Sequence, residues 1–202
     1  VVHSCEFTGN RAIFGGAISF YYTNSTVGGS AETGNAFRDN RAGAGADLFS
    51  YEAETTILAG YNTFHGLMES DYYVTPASEF DLTHSSSMGQ PITSDVYIDP
   101  VTGSDSNNGL TAATAFKTIG YALGRLMPSE TNPLTIHLAE GNYSPLGNGD
   151  KYPLPMLNYL TITGAGPRTT ILSPNLTGNG LFAYHDTGIE IHNLGIHRGL
   201  GR

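Results

Sequence analysis

Apolar and polar positions change period along this chain. Phe116, Ile119, Ala122, Leu123 and Leu126 recur at spacings of three and four, which predicts one apolar stripe on a helix that Pro128 ends. Elsewhere the pattern is short and strand-like. Residues 17–21 and 55–58 are β-branched or aromatic, and Gly15, Gly16, Gly28, Gly29, Gly34, Gly43, Gly45 and Gly60 punctuate the first half at bends. Residues 189–191 and 194–196 predict further strands from a period of two.

The first half repeats itself. Phe7-Thr8-Gly9-Asn10-Arg11-Ala12 aligns with Phe37-Arg38-Asp39-Asn40-Arg41-Ala42 at an offset of 30, and Asn35-Ala36-Phe37 returns as Asn62-Thr63-Phe64 at an offset of 27. About 5 residues per strand and a few per corner consume that length, so the period predicts a solenoid of short strands, a parallel β-helix. Asn10 and Asn40 then occupy equivalent corners, where Asn tolerates left-handed backbone and can ladder with its copy one coil away. Phe7, Phe37 and Phe64 repeat in register and are expected to stack inside the coils. In the pairs Tyr21-Tyr22 and Tyr72-Tyr73, one ring of each should point outward.

The motif Phe-x-x-Asn-Arg-Ala followed by Gly15-Gly16-Ala17-Ile18 resembles the repeat of chlamydial polymorphic outer-membrane proteins over residues 4–67. The second copy departs from it at Gly45-Ala46-Asp47-Leu48, and the third keeps only the Asn-x-Phe part. That resemblance implies a β-helical passenger and a surface adhesin. Residues 70–94 lose the repeat and take on the Ser, Gly and Pro content of a connection, so the expected organisation is 1–69 as coils of one β-helix, 70–94 as a linker, and 95–202 as a second module.

The second module opens with Val96-Tyr97-Ile98-Asp99-Pro100, then Gly103-Ser104-Asp105-Ser106-Asn107-Asn108-Gly109, then Phe116-Lys117-Thr118-Ile119, and later Gly141-Asn142-Tyr143. This order resembles the entrance of right-handed β-helix proteins of the pectate-lyase-like superfamily. The resemblance implies an amphipathic helix that caps the open end of a solenoid over residues 95–143, followed by its first coils.

Composition narrows the functional classes. Nine Lys plus Arg against eighteen Asp plus Glu give a net charge of −9, which repels nucleic-acid backbones and anionic lipid. No apolar run is long enough to span a bilayer, so direct membrane insertion is not expected, and the opening residues lack the features of a signal peptide. The chain reads as a piece of something longer. The single cysteine, Cys5, makes no intrachain disulfide and is expected to be a small buried hydrophobe.

Candidate chemistry is sparse. Asp99, Asp105 and Asn107, with Asn108 beside them, offer hard oxygen ligands for Ca²⁺, the one cofactor considered, although the spacing of an EF-hand is absent; the alternative is a loop of Asx turns. His185, Asp186, His192 and His197 fit no standard zinc spacing and are expected on outward strand or corner positions, while His3, His65 and His137 have no partner legible in the sequence. Glu140 lacks a second carboxylate fixed at glycosidase distance. Lys117 and Lys151 match no lyase base, so no catalytic residue is assigned. Asn24, Asn142 and Asn175 head Asn-x-Ser/Thr sequons and are candidate glycan acceptors.

The expectation is therefore an all-β, right-handed parallel β-helix in two segments, extracellular or at a cell surface, with a structural or adhesive role in a larger, filament-forming or surface protein. Its expected partners are neighbouring copies or other surface proteins, through coil stacking or lateral contacts, and polysaccharide. The rival readings are a carbohydrate-active enzyme whose catalytic coils lie beyond this chain, and a noncatalytic polysaccharide-binding module.

Overall fold

A computed structural model describes residues 1–12, 14–21, 26–30, 32–38, 40, 42, 45, 47–51, 57–58, 61–64, 72–74, 80–81, 86–87, 91–176, 179–183 and 186–198. The fold is nearly all β, a parallel β-solenoid, in two compact units, Val1–Pro91 and Ile92–Arg202. No helix among the described residues is long and apolar enough to cross a membrane.

In the first unit, β1 (Glu6–Thr8), β3 (Ala36–Arg38), β6 (Thr63–Phe64) and β9 (Ser86–Ser87) form one parallel sheet. A second contains β2 (Ile18–Tyr21), β4 (Leu48–Tyr51) and β7 (Tyr72–Val74), and a third pairs β5 (Ile57–Leu58) with β8 (Phe80–Asp81). Register follows the sequence repeat: Phe7 lies opposite Phe37, and the Phe7, Phe37 and Phe64 rings stack at 5.0 Å between successive centroids. Buried Phe37, Phe64, Leu48 and Val27 make the core of this unit.

Asparagines close the corners between coils. Asn40 Oδ1 accepts from the Asn10 amide and from Asn10 Nδ2, both at 2.9 Å. Asn62 Oδ1 accepts from the Asn35 amide and from Asn35 Nδ2, at 3.2 and 2.9 Å. Each side chain thus carries polar pairing from one coil to the next where the strands stop, and the ladder expected for Asn10 and Asn40 is present. Buried amides need such partners, since leaving one unmade costs about 1–3 kcal/mol.

Two readings of the first half change. Residues 70–94, read from composition as a linker, contribute strands β7, β8 and β9 to the parallel sheets of the first unit. Cys5, expected to be buried, is exposed. It stands at the position that Asn35 and Asn62 hold in later coils: its amide donates to Asn35 Oδ1 at 3.0 Å, and its Sγ lies 3.2 Å from the His3 carbonyl.

The second unit begins with β10 (Val96–Ile98), the edge of a sheet that continues through β11 (Leu134–Leu138), β14 (Leu160–Gly164) and β17 (Glu190–His192). A second sheet orders β12 (Gly141–Tyr143), β15 (Thr170–Leu172) and β18 (Gly195–Ile196), and β13 (Leu154–Pro155) pairs with β16 (Leu181–Phe182). Val96, Ile136, Ile162 and Ile191 align in one row, of which the first three are buried, each worth about 1.5–3 kcal/mol relative to exposure.

Between β10 and β11 the expected apolar stripe is buried at all five positions, but the helix is a single short one, α1 (Ile119–Leu123). Phe116 instead bridges to Ile98 and Leu126 to Ile92, and Gly124 closes the helix. At Gly109, φ 73, a Cβ would run into the Phe116 ring, so this turn requires glycine.

Candidate functional site

The residues proposed from sequence as metal ligands serve the loop that precedes α1. Asp99 Oδ1 accepts from the amides of Val101 (2.8 Å) and Thr102 (3.0 Å), and its Oδ2 from the Thr102 hydroxyl (2.7 Å). Burial pushes the Asp99 carboxyl up, but the hydrogen bonds from Thr102 and Val101 favour the charged form more, and its pKa falls below the usual value. Asp105 accepts from the amides of Lys117 and Thr118, both at 2.9 Å, and from the Thr118 hydroxyl at 2.8 Å. Asn107 Nδ2 donates to the Ala115 carbonyl, and Asn108 Oδ1 accepts from the Leu110 amide and the Thr114 hydroxyl. Asp99 and Asn108, each accepting from the amide two residues on, make Asx turns, while Asp105 and Asn107 tie the loop to the segment that leads into α1. Among the described residues no group of three or more His, Cys, Asp or Glu is arranged to hold a metal ion.

The start of α1 is gripped from two sides. Asp105 takes the amides of Lys117 and Thr118, and Asp150 those of Ile119 (3.1 Å) and Gly120 (2.9 Å), while the Thr118 hydroxyl accepts from the Tyr121 amide. Two carboxylates thus satisfy the helix amides that have no intrahelical acceptor. Asn148 joins them, donating to the Lys117 carbonyl and to Asp150 Oδ2. Tyr143 and Tyr152 lie close by with buried rings. Their hydroxyls are pushed to a higher pKa, first by burial and then by neighbouring charge, from Asp99 and Asp150 for Tyr143 and from Asp150 for Tyr152. The function of this cluster is to hold the loop and helix.

One face of the second unit that offers chemistry to solvent is the outward side of the β10, β11, β14 and β17 sheet. Burial alternates along β10, β11 and the start of β14, so the residues flanking the core row face out there, and β17, exposed at all three positions, continues the register. One outward row reads Asp95, Thr135, Thr161, Glu190; the next reads Tyr97, His137, Thr163, His192. The rows run parallel across the strands, about 7 Å apart, with neighbouring side chains about 4.8 Å apart along each row.

Side chains on this ledge contact one another. The Tyr97 and His137 rings stack at 4.8 Å with 20° between their planes. His137 Nε2 lies 3.6 Å from Asp95 Oδ2, while Asp95 Oδ1 accepts from the Thr135 amide at 2.7 Å. At the far end Glu190 Oε2 meets His192 Nε2 at 2.9 Å. The result is an aromatic platform and a carboxylate at one end, three threonine hydroxyls between, and a second carboxylate with an imidazole at the other end. Neither row contains Lys or Arg.

The other singled-out residues lie apart from the ledge. His197 is exposed and joins the adjacent sheet edge through its amide, which donates to the Leu172 carbonyl. His185, His65, Tyr22 and Asn24 lie outside the described residues, as do the side chains of Tyr72 and Tyr73. Tyr21 is half exposed, its ring 5.5 Å from Phe49. Asn142 is exposed on β12, with Ser144 of its sequon buried and accepting from the Gly147 amide, and Asn175 is half-buried at φ 54. Sequence reasoning placed His192 on an outward strand but missed Asp95, Tyr97, Thr161 and Thr163 as a set. The signal was available in the core row, because aligning Val96, Ile136, Ile162 and Ile191 brings their neighbours into line.

Comparison of the chain with protein-family models, with curated proteins and with solved structures found no match.

Proposed function

We propose that this chain is a segment of an extracellular or cell-surface β-helical protein with a structural or adhesive role, and that the outward ledge of the second unit is its contact surface. The repeat of Asn and Phe in the first unit supports kinship with the polymorphic outer-membrane-protein type of passenger. The strand, Asx loop, short helix and coils of the second unit support kinship with the pectate-lyase-like entrance. The observation that carries the reading is the pair of aligned outward rows, which present hydroxyl, carboxylate, imidazole and aromatic groups at one repeat distance, as an extended polar chain such as a polysaccharide requires.

A noncatalytic role fits the spacing. Asp95 and Glu190 stand three strands apart, roughly 14 Å, beyond the separation of about 5–10 Å at which two carboxylates cleave a glycosidic bond. The test is a panel of immobilised neutral, acidic and amino polysaccharides probed with the full chain and with Thr163→Arg, which places a bulky cation in the middle of the ledge. Retention of the wild type by at least one polysaccharide, with about tenfold weaker retention of the variant, is the expected result. No retention on any polysaccharide, or equal retention of the folded variant, overturns it.

A further inference from the structure

We infer that the ledge selects a chain bearing free amines, of the amino-sugar class; the inference rests on the reading of the ledge as the contact surface. The charged and titratable groups on this face are Asp95, Glu190, His137 and His192, together with the phenol of Tyr97. The two rows carry two carboxylates and neither Lys nor Arg, within a chain of net charge −9. An acidic glycan meets repulsion there, and an ammonium group meets an acceptor at each end of the row. Both carboxylates keep solvent-facing area, with side-chain exposures of 49% for Asp95 and 65% for Glu190, so they are accessible to a ligand cation.

The middle of the ledge suits the rest of such a chain. Thr161 and Thr163 donate and accept hydrogen bonds, and the stacked Tyr97 and His137 rings offer a flat face to the C–H side of a pyranose. Each carboxylate has an imidazole beside it.

The experiment titrates the full chain by calorimetry with three hexamers: glucosamine, N-acetylglucosamine and galacturonate. The glucosamine hexamer is expected to bind most tightly. Asp95→Asn, which keeps an oxygen for the Thr135 amide, and Glu190→Gln should each weaken it about two- to fivefold without altering N-acetylglucosamine binding. Equal or tighter binding of the acetylated or acidic hexamer, in a form that Thr163→Arg still blocks, overturns the charge selection while leaving the ledge as contact surface. Binding that Thr163→Arg leaves unchanged, or no binding of any hexamer, overturns both.

Discussion

Asn148 Nδ2 donates to Asp150 Oδ2 across 2.7 Å, and both side chains are buried. Through this contact the turn after β12 is tied to the start of α1, because Asp150 also receives the amides of Ile119 and Gly120 and Asn148 reaches the Lys117 carbonyl. The sole α-helix among the described residues is therefore fixed by side chains about thirty residues further along the chain.

Asp150→Ala should destabilise the second unit by about 2–4 kcal/mol, since it leaves buried amides without an acceptor. Asn148→Asp tests the same contact by charge: two adjacent buried carboxylates repel, which raises the folded-state pKa of the pair. This variant should therefore be most stable in acid and lose stability as pH rises through the raised value. Urea unfolding at several pH values checks both, and a flat pH response of Asn148→Asp would contradict the contact.

Phe37 sits between Phe7 and Phe64 and is fully buried. Phe37→Ala should cost the first unit about 3–5 kcal/mol. Phe7→Ala should cost clearly less, because Phe7 is half-buried and its described stacking partner is Phe37 alone. Equal losses in denaturant titrations would argue against the ring stack.

Asn35→Asp should destabilise the first unit by about 1–3 kcal/mol. The change replaces an amide that donates to the Val2 carbonyl and to Asn62 Oδ1 with a carboxylate that repels both oxygens. The same substitution at exposed Asn142 should be nearly neutral, and thermal unfolding of the two variants gives the comparison.

At the alkaline end, Tyr143 and Tyr152 are neutral in the folded state with raised pKa values, whereas in the unfolded chain tyrosine titrates near 10. Stability contributed by their neutral forms is complete below about pH 10 and is lost as pH rises above it. Asp99 works in the opposite sense: its lowered pKa gives stability that is present at neutral pH and lost as pH falls through the folded value. Asp99→Asn should flatten the acid limb of the stability profile and, by removing a charge that raises the Tyr143 pKa, also soften the alkaline limb, which urea unfolding across pH checks.

Much of the architecture is legible in the sequence, for identifiable reasons. The offset that aligns Phe7 with Phe37 also aligns Asn10 with Asn40, because one coil is one repeat, and the stack and corner ladder follow. Cys5 fills the Asn position of the first coil in that ladder and is exposed, although the Asn residues at the same position in later coils are buried. Strands of two or three residues at β7, β8 and β9 are too short to show a period, and their backbone pairing is hidden under a linker-like composition. The spacing of Phe116 to Leu126 fits a helix, yet its two ends bury themselves through bridges to Ile98 and Ile92. The ledge is the least legible feature. Asp95 and His137 belong to different coils, and the segment between them has no repeat from which to count register.

The central claim is that the outward side of the β10, β11, β14 and β17 sheet is where this chain meets its ligand. The most direct test follows backbone amide resonances of the isotope-labelled full chain during titration with glucosamine and N-acetylglucosamine hexamers. Saturable shifts concentrated at Tyr97, Thr135, His137, Thr161, Thr163, Glu190 and His192 are the predicted result. Shifts centred on the first unit or on the β12 and β15 sheet, or no shifts with either hexamer, would contradict it.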